Sequence, residues 1–191
     1  MKTILTTLTT EAIFSDDGKN RYLLKKTWNK EEPNLAIVML APSDASGIVL
    51  DLTTQLVLNN AATLGFGSIS IVNLSPAVDD FNLSKTNDEE NIKTMVAAFE
   101  SADTIIYAPG VGKAKNKAFQ QLQAEVANLL RPYEEKLKCL CDSQGANRLQ
   151  HPLSPAVRTW YLSPLSAAEL LPEGVQFREY QKKKAVSKKN T

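Results

Sequence analysis

Histidine occurs once in this chain of 191 residues, and cysteine twice. Transition-metal sites draw most of their donors from these two residue types, so few ligands are on offer. Cys139 and Cys141 stand two apart in an apolar run. On a strand both would project from one face, where bonding them to each other is geometrically awkward. They read as buried, reduced thiols, and neither a metal nor a cofactor is expected. Long apolar runs are lacking too. None approaches the ~18 residues of a membrane span, so the expectation is a soluble chain with no membrane partner. The start, Met1-Lys2-Thr3-Ile4-Leu5, has neither the apolar core nor the small-residue cleavage site of a signal peptide. Cytoplasm is the expected location. An excess of one charge is also missing, with 22 Lys and Arg against 21 Asp and Glu. Many nucleic-acid binders carry a strong basic excess, and this chain does not. Its clustered lysines, Lys182, Lys183, Lys184, Lys188 and Lys189, come at the end. Residues 1–181 are expected to form one α/β domain, and residues 182–191 a basic, disordered tail.

What is present is an alternation of apolar runs and helical stripes. Residues 3–14 and 21–28 are β-like around the turn Asp16-Asp17-Gly18-Lys19-Asn20, which predicts an N-terminal hairpin. The continuous run Leu35-Ala36-Ile37-Val38-Met39-Leu40 suits a strand covered on both faces. Asp51 then caps a helix that Gly65 stops. Residues 68–74 form a second strand, and Asn87 or Asp88 caps a second helix. Residues 104–107 form a third strand, residues 113–130 a third helix, and residues 137–141 a fourth strand. Residues 156–162 read as a short helix. Ser166 caps another, and residues 175–180 are an edge strand. This alternation predicts three layers: a mostly parallel four-stranded sheet with helices on both faces, plus the hairpin. Right-handed crossovers bring the carboxyl ends of all four strands to one edge, where open sheets of this kind bind ligands. His151 falls there, in His151-Pro152-Leu153-Ser154-Pro155.

Several motifs recur in order: Met39-Leu40-Ala41-Pro42-Ser43-Asp44-Ala45, Asp51-Leu52-Thr53, Gly65-Phe66-Gly67, Val72-Asn73-Leu74 and His151-Pro152-Leu153. Through them the chain resembles the bacterial and phage proteins grouped as domain of unknown function 1643, over residues 21–162. That family's first strand typically ends Leu-Asn-Pro-Ser-x-Ala, and Ala41 replaces its asparagine here. More distantly, the chain is similar to the uracil-DNA glycosylases. These are three-layer domains with a four-stranded parallel sheet, a Pro-containing loop after the first strand and a His-Pro loop after the last. The similarity implies a uracil-DNA glycosylase-like fold, with Ala41-Pro42-Ser43-Asp44 and His151-Pro152 as the two site loops. The Gln-Asp-Pro-Tyr-His and Asn-Pro-Gly strings of the best-known branches are absent.

Within that frame each residue has a functional and a structural role open to it. His151 can donate to a developing base oxyanion or act as general acid, or it can cap a loop carbonyl. Asp44 can orient an attacking water or close an Asx turn after Pro42-Ser43. Asp51 reads first as a helix cap. Asn73 offers both donor and acceptor to a base edge, or it ties neighbouring loops. Gly110-Val111-Gly112-Lys113 resembles half a phosphate loop, without the Gly-Lys-Ser/Thr ending of a nucleotide triphosphatase. Ser154 can bind phosphate or assist His151. Trp160 and Tyr161 read as core rather than as base-stacking groups.

The leading expectation is a domain that recognises a nucleobase, a nucleotide or single-stranded DNA and hydrolyses an N-glycosidic bond. Asp44 and His151 would be catalytic. Pro42, Ser43, Asn73, Gly110, Gly112, Lys113 and Ser154 would bind substrate. The rivals are a non-catalytic ligand-binding module and a protein-interaction module of the same fold.

Overall fold

The computed structural model describes residues 1–43, 47–78, 88–112 and 116–177. Seven strands form one sheet: β1 (Thr9–Phe14), β2 (Arg21–Thr27), β3 (Asn34–Met39), β4 (Ser68–Asn73), β5 (Thr104–Tyr107), β6 (Leu137–Cys141) and β7 (Tyr161–Pro164). Their order is β1-β2-β4-β3-β5-β6-β7. The β3–β4, β3–β5 and β5–β6 pairs are parallel. The β1–β2, β2–β4 and β6–β7 pairs are antiparallel. The sheet is therefore mixed and larger than the four-stranded, mostly parallel one expected. The four expected strands are its centre.

Two additions account for the difference. The hairpin is an extension of the sheet: β2 pairs with β4 in the register Leu24↔Ile71. At the other edge, residues 156–162 do not form the expected helix. A 3-10 turn at Pro155–Val157 leads into β7, which pairs Leu162 with Leu140 and Ser163 with Cys139. Main-chain pairing to the open edge of β6 outweighs the weak helical pattern there. Residues 175–177 are not strand, and the rest of that expected strand lies outside the described residues, as does the basic tail. The first strand begins at Thr9 rather than at residue 3.

Three α-helices are found among the described residues: α1 (Leu52–Thr63), α2 (Glu89–Ser101) and α3 (Lys117–Leu130). Each begins at a side chain that accepts from its first turn: Asp51 from Thr54 N, Asp88 from Glu90 N, and Asn116 from Phe119 N. The α3 cap at Asn116 starts that helix later than the expected residue 113. Strand alternation divides the core in two. Leu35, Ile37, Ile69 and Ile71 pack with Val57 and Ala61 of α1. Ala36, Val38, Val72 and Tyr107 pack with Met95 and Phe99 of α2 and with Phe119 and Val126 of α3. Helices thus cover both faces. No helix among the described residues is long and apolar enough to cross a membrane.

Candidate functional site

The strand order places the switch point between β3 and β5. From β3 the chain leaves through α1 on one face, and from β5 it leaves through α3 on the other. The two loops part above the carboxyl ends and leave a crevice there. A cleft of about 480 Å³ occupies it. It is lined by Leu40 from the end of β3, by residues 109–112 after β5, and by Gln150, His151, Leu153 and Ser154 after β6.

His151 is partly buried in this wall. Its Nδ1 accepts the Leu153 amide at 3.1 Å. The proton of the neutral ring is therefore assigned to Nε2, which stays available as a donor. Burial pushes the imidazole below its ordinary pKa, and the Asp51 carboxylate draws it part of the way back. At neutral pH the ring is an uncharged hydrogen-bond donor.

Gly110 explains why the ring can sit there. Its φ is +84°, and a Cβ at this position would lie 3.0 Å from His151 Cβ. Only glycine takes this backbone without strain and lets the two loops approach so closely. Gly112 lines the same cleft, but a Cβ there would meet open space. Ser154 donates its amide to His151 O at 2.8 Å and opens the turn Pro155–Val157.

The second group of site residues lies beside the cleft, around the ends of β3 and β4. Leu74 N donates to Met39 O and Ser75 N to Leu40 O, each at 2.9 Å, which locks the two strand ends together. Pro42 is buried. Ser43 offers its carbonyl to Arg21 Nη1 at 3.1 Å. Asn73 is 1% exposed, and neither its amide nitrogen nor its amide oxygen has a partner. Ser75 Oγ and Asn91 Oδ1 are likewise buried without partners, although Asn91 Nδ2 donates to Asn73 O at 3.1 Å. Each unpaired buried polar atom costs about 1–3 kcal/mol, which makes this strand end an expensive arrangement for the fold to keep.

Asp51 does more than cap α1. It accepts from Thr54 N at 2.7 Å and from Thr54 Oγ1 at 3.2 Å, and its field reaches both Arg21 and His151. Burial pushes its carboxyl up, but the Ser43 hydroxyl and the Thr54 and Thr53 donors outweigh that and hold it below its ordinary value. Arg21 is 1% exposed. Burial disfavours its charge, and Asp51 supports it.

Of the expected site residues, Gly110, Gly112, His151 and Ser154 share one cleft, while Pro42, Ser43 and Asn73 lie at the carboxyl ends of β3 and β4 and are not part of its lining. Asp44 and Lys113 lie outside the described residues. Sequence reasoning reads Ser75 as shaping a turn and does not single out Arg21 or Asn91. An asparagine immediately before Ile92 in the apolar stripe of α2 was the available signal for Asn91. Trp160 is buried in the α1-side core, as expected, while Tyr161 on edge strand β7 is exposed.

Fold and site define an α/β protein with a crevice at the switch point of a mixed sheet, where His151, Gln150 and Ser154 stand in a mostly apolar lining. The chain belongs to the family described as protein of unknown function (DUF1643), whose profile matches residues 21–153, from Arg21 to just past His151. No curated protein matches the chain.

Proposed function

We propose that the chain recognises a nucleobase, free, in a nucleotide or in single-stranded DNA, at the crevice between β3 and β5, and hydrolyses its N-glycosidic bond. The observation that carries this reading is a pairing of two chemistries at one sheet edge. A neutral histidine keeps a donor available at Nε2, and a buried asparagine keeps both a donor and an acceptor unpaired. A nucleobase edge presents the complementary alternation of acceptor and donor. Uracil-DNA glycosylases are the relatives this reading implies, and a fold like theirs is part of the proposal.

In the reaction, the oxygen of water attacks C1′ as the C1′–N bond breaks. The bonding pair leaves with the base. His151 Nε2–H donates to the oxyanion that forms on the base, and Asn73 holds the base edge. Asp44 receives the proton from the water. Gly110 and Gly112 leave main-chain amides near the flanking phosphate, with Lys113 adding charge, and Ser43 and Ser154 offer hydroxyls to the substrate.

One observation favours a second reading. By the family resemblance of residues 39–45, Ala41 stands in place of an asparagine, so binding without turnover is the alternative. A base-release assay on single-stranded DNA containing uracil separates the two. Hydrolysis predicts free base from the wild type, with His151→Ala slower by roughly 10²–10⁴-fold. Ligand-dependent stabilisation with no free base would establish binding alone. Neither signal across nucleobases, nucleotides and short single strands would end both readings.

A further inference from the structure

β2 carries two cations that the fold buries almost completely: Arg21 is 1% exposed and Lys26 0%. Burying an ammonium is expensive unless hydrogen bonds compensate it. Lys26 Nζ donates to Gly47 O at 2.8 Å and to Thr10 Oγ1 at 2.9 Å. Arg21 Nη1 donates to Ser43 O at 3.1 Å. Ser43 and Gly47 both lie between β3 and α1, so β2 holds the chain there at two points. Burial pushes the Lys26 ammonium below its ordinary pKa, and its acceptors, Gly47 O and Thr10 Oγ1, are uncharged oxygens. A methionine of similar length would fill this space without a desolvation penalty. The contacts that only a donor can make are those to the loop and to Thr10.

We propose that Arg21 and Lys26 are positioning residues of the crevice: they fix the β3–α1 loop against β2, and the loop in turn places Asp51 relative to His151. The hairpin is then part of the site's framework, although none of its residues lines the cleft. Arg21 and His151 are both within the field of the same carboxylate, Asp51. The inference rests on reading this crevice as the functional site, but its test needs no ligand.

The test uses the lone imidazole as a reporter, together with the Thr54 amide that Asp51 caps. Lys26→Met removes both contacts of the ammonium. Thr10→Val removes only the contact within the hairpin and serves as the control for a purely structural role. The expected result is that Lys26→Met shifts the His151 titration midpoint and speeds Thr54 amide exchange by roughly tenfold, the scale of one lost charge-assisted hydrogen bond. Thr10→Val should leave both readouts as in the wild type. A folded Lys26→Met with both unchanged overturns the proposal. So does a Thr10→Val that changes them equally. If Lys26→Met does not fold, Arg21→Lys decides, since it keeps the charge and loses the guanidinium reach to Ser43 O. A shifted His151 midpoint supports the proposal, and an unshifted one overturns it. Absence of ligand binding would defeat the nucleobase reading while leaving these readouts intact.

Discussion

His151 stays neutral through burial, and the Leu153 amide on Nδ1 fixes which nitrogen carries the proton. This has a pH signature. The folded pKa lies below the ordinary 6.5, so under mild acid the unfolded chain binds a proton that the folded one does not. Stability should therefore fall as pH drops below about 6.5 and be insensitive to this group above it. With a single histidine, one imidazole resonance reports the midpoint in NMR. We expect it below 6.5 in the wild type and lower still in Asp51→Asn, which removes the carboxylate that supports the charged form. Gly110→Ala tests the neighbouring contact. It forces a β-carbon into a left-handed backbone and against His151, and should cost about 1–2 kcal/mol in denaturant unfolding. Much of this was legible in sequence: a lone histidine after the fourth strand, and a glycine pair after the third. Arg21 was not legible. Its partner Ser43 is 22 residues away, and nothing local marks a strand's first residue as the buried support of a distant loop.

At the scale of elements, α1 depends on the residue that also governs the site's charge. Asp51→Ala should cost about 1 kcal/mol through loss of the cap. The folded carboxyl is depressed, so its stabilisation is present above the unfolded value near 3.8 and is lost as pH falls through the folded one. The difference between wild type and variant in urea midpoints should therefore shrink in strong acid. The helices were readable because their caps are local: Asp51, Asp88 and Ser166 all sit next to the turns they close. β7 was not. Its four residues become strand by pairing with β6, a partner 20 or more residues away, and the short stretch carries no pattern of its own.

For the whole molecule, the decisive feature is strand order. The four central strands and the covering of both faces follow from alternating apolar runs and helical stripes. The place of the hairpin does not, because an antiparallel β2 can join either edge of such a sheet with the same local pattern. Joining at β4 brings Arg21 and Lys26 to Ser43 and Gly47 after β3, and so ties the start of the family match to the crevice near its end. The central claim is that this crevice takes a nucleobase against His151. The most direct measurement is the His151 imidazole resonance during titration with uracil, deoxyuridine monophosphate and a short uracil-containing single strand. The account predicts a saturable shift with at least one of them, weakened in Asn73→Ala. An imidazole signal that no member of the series moves, in a folded protein, would contradict it.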